Sequence, residues 1–105
     1  MNSHFDQQSW RSLSLIEQMG NISSEVGRTF NGLRVGNKQR ADGAFFRAID
    51  LMNASIKDLA KLNSYRTKEL LLARDQFAKA FCDQQADDKL ESYFNYFAIL
   101  ARSER

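Results

Sequence analysis

The chain has 105 residues, 43% hydrophobic and 27% charged, which is enough apolar material for one core and predicts a single ordered domain over these residues in place of global disorder. Its formal charge of +2 falls well short of the basic stripe that phosphate-backbone binding normally needs. The single cysteine, Cys82, excludes an internal disulfide, and the lack of a signal segment or a membrane-length apolar run makes cytoplasmic residence, with no membrane partner, the expectation.

There is no proline, and all five glycines fall between Gly20 and Gly43, so nothing interrupts helices in the C-terminal sixty residues. Residues 1–13 are polar with two aromatics and no sustained period, which predicts an irregular arm or a short helical turn tacked down by Phe5 and Trp10. A first long helix is predicted over 14–35. Ser14 and Glu17 have the spacing of a capping box, and Ile16, Met19, Ile22, Val26, Phe30 and Leu33 recur at intervals of three and four. Gly32 and Gly36 both offer a left-handed end to it, and Gly36 is preferred.

The next helix, predicted over 38–62, carries Ala41, Ala44, Phe45, Ala48, Ile49, Met52, Ile56 and Leu59 on a wide face whose small residues invite close packing. Asn63 or Ser64 then caps a helix over 65–82 that buries Leu70, Ala73, Phe77 and Phe81. A polar turn over 83–87 follows. Asp87 or Asp88 caps the last helix, 88–103, with Leu90, Tyr93, Phe94, Phe97, Ala98 and Ala101 at helical spacing. Short connections between long amphipathic helices predict an all-α fold, a compact antiparallel bundle of about four helices in one domain over 1–105.

Two local resemblances emerge from these residues. Gly36, Ala41, Phe45, Ala48, Ile49 and Leu51 fall at the offsets of the second helix of a tetratricopeptide-type repeat, so residues 36–51 resemble that helix. The preceding helix lacks the repeat's tryptophan, leucine and glycine positions, and peptide binding does not carry over. The stretch from Glu17 to Arg28 resembles the opening of a group of small uncharacterised prokaryotic all-helical proteins, which implies a helical fold and no particular activity.

No catalytic constellation is evident. The only histidine, His4, lies in the arm, away from any helix that would position it, which also separates the chain from nuclease-type helical bundles. Cys82 ends a helix, whereas a reactive thiolate needs a helix N-terminus or a neighbouring cation, so it is expected to be a buried or half-buried structural thiol. The Glu-x-x-His pairs of bundle metal sites are missing, and Glu17, Glu25, Asp50, Asp58, Glu69 and Glu91 fall mostly beside basic residues or at helix starts. No metal and no cofactor is expected.

Four features remain. Asn21, Glu25 and Arg28 lie one turn apart beside the apolar stripe of the first long helix, as a polar network that fixes packing or grips a ligand. Gly20 and Gly27 share a side of that helix and call for a backbone that approaches closely. Arg28, Arg34, Lys38, Arg40 and Arg47 form a basic cluster around the first hairpin, which suits either helix C-terminal charge compensation or a nucleic-acid backbone. Finally, Phe45, Phe46, Tyr93, Tyr96, Phe97 and Leu100 carry more apolar surface than one small core uses. The expectation is a non-enzymatic helical protein-interaction module that self-associates as a homodimer or binds another protein, with a nucleic-acid-associated regulator using residues 28–47 as the alternative.

Overall fold

A computed structural model describes residues 6–103, which are helical throughout apart from short connections, with no strand among them. The five helices are α1 (Gln7–Arg11), α2 (Leu15–Val35), α3 (Lys38–Lys61), α4 (Arg66–Cys82) and α5 (Asp88–Ser103). The segment expected as an arm or turn therefore contributes a helix of its own. Asp6 caps α1 by accepting bonds from the Gln8 and Ser9 amides, and Trp10 is buried. Phe5 and His4 lie outside the described residues.

Local chemistry accounts for the helix ends. The Ser14 hydroxyl accepts from the Glu17 amide at 3.1 Å while the Glu17 carboxylate accepts from the Ser14 amide at 2.8 Å, completing the capping box. Gly36 adopts φ 72° and closes α2, with the Asn37 amide donating to the Gly32 carbonyl at 2.8 Å. Asn63 plays a different part from the expected cap. At φ 52° it ends α3, and the Ser64 amide donates back to the Leu59 carbonyl at 3.1 Å, since asparagine tolerates the left-handed region. The Ser64 hydroxyl accepts from the Arg66 amide at 3.2 Å. Of the two aspartates offered for the last helix, Asp87 accepts from the Leu90 amide at 3.0 Å.

The core is centred on α2, which packs extensively against both α3 and α5, while α4 rests chiefly on α3. Phe30, Phe77, Phe94, Ile22, Met52 and Val26 are fully buried. Phe30 meets Phe77 edge to face, and Phe45 stacks on Phe81 with ring centroids 3.9 Å apart. Because α2 is covered on two sides, it buries small polar residues as well as its apolar stripe: Gln18, Ser23 and Thr29 are all in the interior. Thr29 satisfies its hydroxyl by donating to the Glu25 carbonyl at 2.8 Å.

The glycines of α2 mark its close approaches. A Cβ at Gly20 would lie 3.3 Å from the Ala101 Cβ and 3.6 Å from the Ala98 Cα, so α5 makes the expected close approach there; at Gly27 only the Glu91 carboxylate comes near, at an ordinary 3.7 Å, and the backbone approach expected there is not made. Gly32 is tighter still: its Cβ would stand 2.8 Å from the Ala41 nitrogen, where the start of α3 crosses the end of α2.

Candidate protein-binding groove

Between α4 and α5 the two helices touch sparingly, leaving an open groove of about 800 Å³. Its floor is made of small and apolar side chains, Ala73 and Ala80 from α4 with Ala86 and Leu90 from the turn and α5. Ala73, Ala80 and Leu90 are buried beneath it, whereas Leu72 stands on the rim at 59% exposure. One end is closed by the Tyr93 hydroxyl, which donates to a Glu69 carboxylate oxygen at 2.7 Å and so ties α5 to α4. Burial first, then this bond to Glu69, pushes the Tyr93 phenol well above the ordinary tyrosine range and keeps it a donor. The other end is the turn around Asp83–Asp88, and Lys79 bonds Asp83 across the last turn of α4 at 2.7 Å.

The six residues expected to form an apolar interface separate into two sets. Phe45, Tyr93 and Phe97 pack against the core as partly buried rings. Leu100 is half-buried, while Phe46 and Tyr96 are exposed, at 62% and 60%. Phe46 belongs to α3 and Tyr96 to α5, which pack on α2 without extensive contact to each other. The surplus of aromatic side chains is thus absorbed in part by a second ring layer over the core, and its exposed members sit on different helices.

The polar residues of α2 border a second hollow of about 610 Å³, where Asn21, Glu25 and Arg28 face Asp6, Ser9, Trp10, Leu13 and Leu51. Glu25 is gripped by Arg28 of its own helix at 3.4 Å and by Arg47 of α3 at 3.1 Å, and its buried Oε1 accepts no hydrogen bond. Asn21 stays out of that cluster and donates to the Glu17 carbonyl at 3.1 Å. These contacts explain most of the basic cluster too. Arg34 reaches Asp88 and Glu91 of α5 at 2.5 and 2.7 Å, and Lys38 pairs with Asp42 at 3.2 Å. Four of the five expected basic residues thus have carboxylate partners, leaving Arg40 as the member with no ion pair among the described residues.

One constellation escaped the sequence. The Ser55 hydroxyl, fully buried on α3, accepts from the Trp10 indole N–H at 3.0 Å and donates to Gln18 Oε1 at 2.7 Å. The Gln18 amide nitrogen closes the ring by donating to the Trp10 carbonyl at 2.9 Å. Gln7 and Arg11 add bonds from α1 to Asp58 of α3, at 3.1 and 3.3 Å. The only available signal was a lone tryptophan, whose indole N–H requires a partner once buried.

Cys82 is exposed at the end of α4 rather than buried or half-buried as expected, because it falls off the face that buries Ala73, Phe77 and Ala80. Among the described residues no three His, Cys, Asp or Glu side chains gather as metal ligands would, and no helix is long and apolar enough to cross a membrane. The chain matches no protein-family model, no curated protein and no solved structure.

Proposed function

We propose that this chain is a non-enzymatic helical protein-interaction module, with α2 to α5 arranged as an antiparallel bundle and α1 as a clasp across α2 and α3. The bundle arrangement draws support from contacts that link the start of α2 to the end of α5, through Gly20 and Ala101, and the end of α2 to the start of α5, through Arg34 and Asp88. The observation that carries the functional reading is the α4/α5 groove. It has an alanine and leucine floor, a rim leucine left in water, and an opening of about 800 Å³ between two helices that barely touch. Grooves of this kind suit the apolar face of a helix from a protein, in another chain or in a second copy of this one.

Nucleic-acid binding has less in its favour, since Arg28, Arg34, Lys38 and Arg47 are engaged by carboxylates. The module works in the cytoplasm as a homodimer or with a protein partner. Light scattering at high micromolar concentration, combined with recovery of copurifying protein, tests this. A concentration-dependent mass, or a partner retained by the parent chain and lost by Leu72→Arg, supports the proposal; a strict monomer with no partner refutes it.

A further inference from the structure

We propose that α1 is an exchangeable strap: it lies on its own α2 and α3 in the monomer and on those of a second copy in a dimer, with residues 12–14 as the hinge. The inference rests on the self-association proposed above and leaves the α4/α5 groove aside.

The hinge is set by one residue. Gln7 to Met19 contains neither glycine nor proline, so no breaker separates α1 from α2. Ser12 already has helical angles, φ −72° and ψ −16°, and the Leu13 amide donates back to the Trp10 carbonyl at 3.1 Å. The break comes at Ser14, whose φ of −65° is helical and whose ψ of 160° is not, and the capping box with Glu17 holds it there. Rotating that ψ, with Leu13 following, turns the Ser14 amide from the Glu17 carboxylate to the Trp10 carbonyl and joins α1 to α2 in one helix. In that helix Trp10 stands about 12 Å from Gln18 along the axis, beyond reach of Ser55, so its own socket falls vacant.

The socket selects what refills it. Ser55 accepts from an indole N–H at 3.0 Å, Gln18 donates to the carbonyl of that same tryptophan at 2.9 Å, and Asp58 receives Gln7 and Arg11 at 3.1 and 3.3 Å. A second α1 supplies all of these groups in the same arrangement. The register also closes, because an antiparallel pair of joined helices crossing at Ser14 sets each Trp10 level with its partner's Gln18. Each copy thus gives what it receives, as a two-fold contact requires. Exchange keeps these bonds, so the balance between the two states falls on the hinge and on the cost of association. A helix of five residues does not hold itself in water, so release of α1 from the body sacrifices little else. The seam falls at the end of the molecule where Leu15 and Leu59 border one hollow and where Leu62 and Tyr65 are each 77% exposed. A second copy therefore covers apolar surface that the monomer leaves in water.

The test refolds the full chain from urea at high micromolar concentration and low salt and follows mass by sedimentation. The parent is expected to dimerise, and Ser14→Ala, which removes the capping box and favours the joined helix, to do so at about tenfold lower concentration. Arg11→Glu and Asp58→Arg each set like charge on like in a closed chain. Mixed, they complement each other through exchange alone, the introduced glutamate meeting the introduced arginine while Arg11 of one chain meets Asp58 of the other. Heterodimer is then expected to outnumber the two homodimers together by about fivefold in native mass spectrometry, against parity for random pairing. Random pairing overturns the exchange, and a parent dimer that Leu72→Arg then dissolves leaves self-association standing on the α4/α5 groove. A Ser14→Ala chain that dimerises no more readily than the parent overturns the hinge and the proposal with it. If the parent, Ser14→Ala and the mixture all stay monomeric, both the exchange and the self-association are overturned.

Discussion

Replacing Ser55 with alanine removes a single oxygen atom, and the structure sets what that does. The hydroxyl is fully buried and serves two partners at once, the Trp10 indole N–H and Gln18 Oε1. Without it one donor and one acceptor are orphaned in the interior, at about 1–3 kcal/mol each. The lower part of that range applies, because Trp10 and Gln18 retain 6% and 7% exposure and a rearranged water can reach their edges. Alanine also recovers about 0.5 kcal/mol of helix propensity within α3. The net expectation is a loss of about 2 kcal/mol, or a fall in Tm of about 8–16 °C for a domain of this size. Urea denaturation followed by far-UV circular dichroism and by the fluorescence of the only tryptophan checks it, with the slope unchanged and the midpoint lowered. A second comparison isolates the coupling, since in a Trp10→Phe background the Ser55→Ala loss should shrink by about 1 kcal/mol. A loss below about 0.5 kcal/mol for Ser55→Ala would refute the argument that the ring of bonds fastens α1 to the body.

Further expectations concern the helix crossings, the surface pairs and the groove's closed end. Gly32→Ala forces a methyl to within 3 Å of the Ala41 backbone and should lose about 1–3 kcal/mol in a thermal melt; Gly43→Ala meets only the mobile end of Arg47 and should gain about 0.5–1 kcal/mol. If both glycines respond alike, the close approach of α2 and α3 is not what distinguishes them. Arg34→Met should lose less than about 1 kcal/mol, with the difference fading near 1 M salt, because the Asp88 and Glu91 pairs are solvent-exposed. Tyr93 has a folded pKa above its unfolded value, so its contribution is fully present below pH ~10 and is lost as the pH rises beyond that point. Tyr93→Phe should therefore be less stable than the parent at neutral pH by about 1 kcal/mol and should converge on it in alkaline melts. A gap that stays constant with pH would mean that neither burial nor the Glu69 bond raises the Tyr93 pKa in the folded chain.

Most of the helical framework follows from short-range chemistry. The Ser14 box, the glycine end at Gly36, the Asp87 cap and the buried run Met19, Ile22, Val26 and Phe30 depend on neighbours three and four residues away, which is why the four long helices begin and end where their residues suggest. Asn63 shows the limit of that logic. Asparagine serves equally at a helix start and at a left-handed helix end, and only the geometry between α3 and α4 chose the second. The candidate site was less legible. Phe45, Tyr93 and Phe97 looked like surplus because a single helix cannot reveal how many neighbours cover it, and the basic cluster looked free because its carboxylates come from elsewhere in the chain.

By itself, then, the sequence determined a helical chain, the ends of its long helices and the apolar stripe each would bury, since these are set by local hydrogen bonding and periodicity. Tertiary structure alone decided that α2 is the central helix, that Trp10 is fastened through Ser55 to Gln18, and that α4 and α5 part to leave a groove. Each of these joins residues tens of positions apart, and the spacing of side chains along one helix carries no information about which other helix will face them.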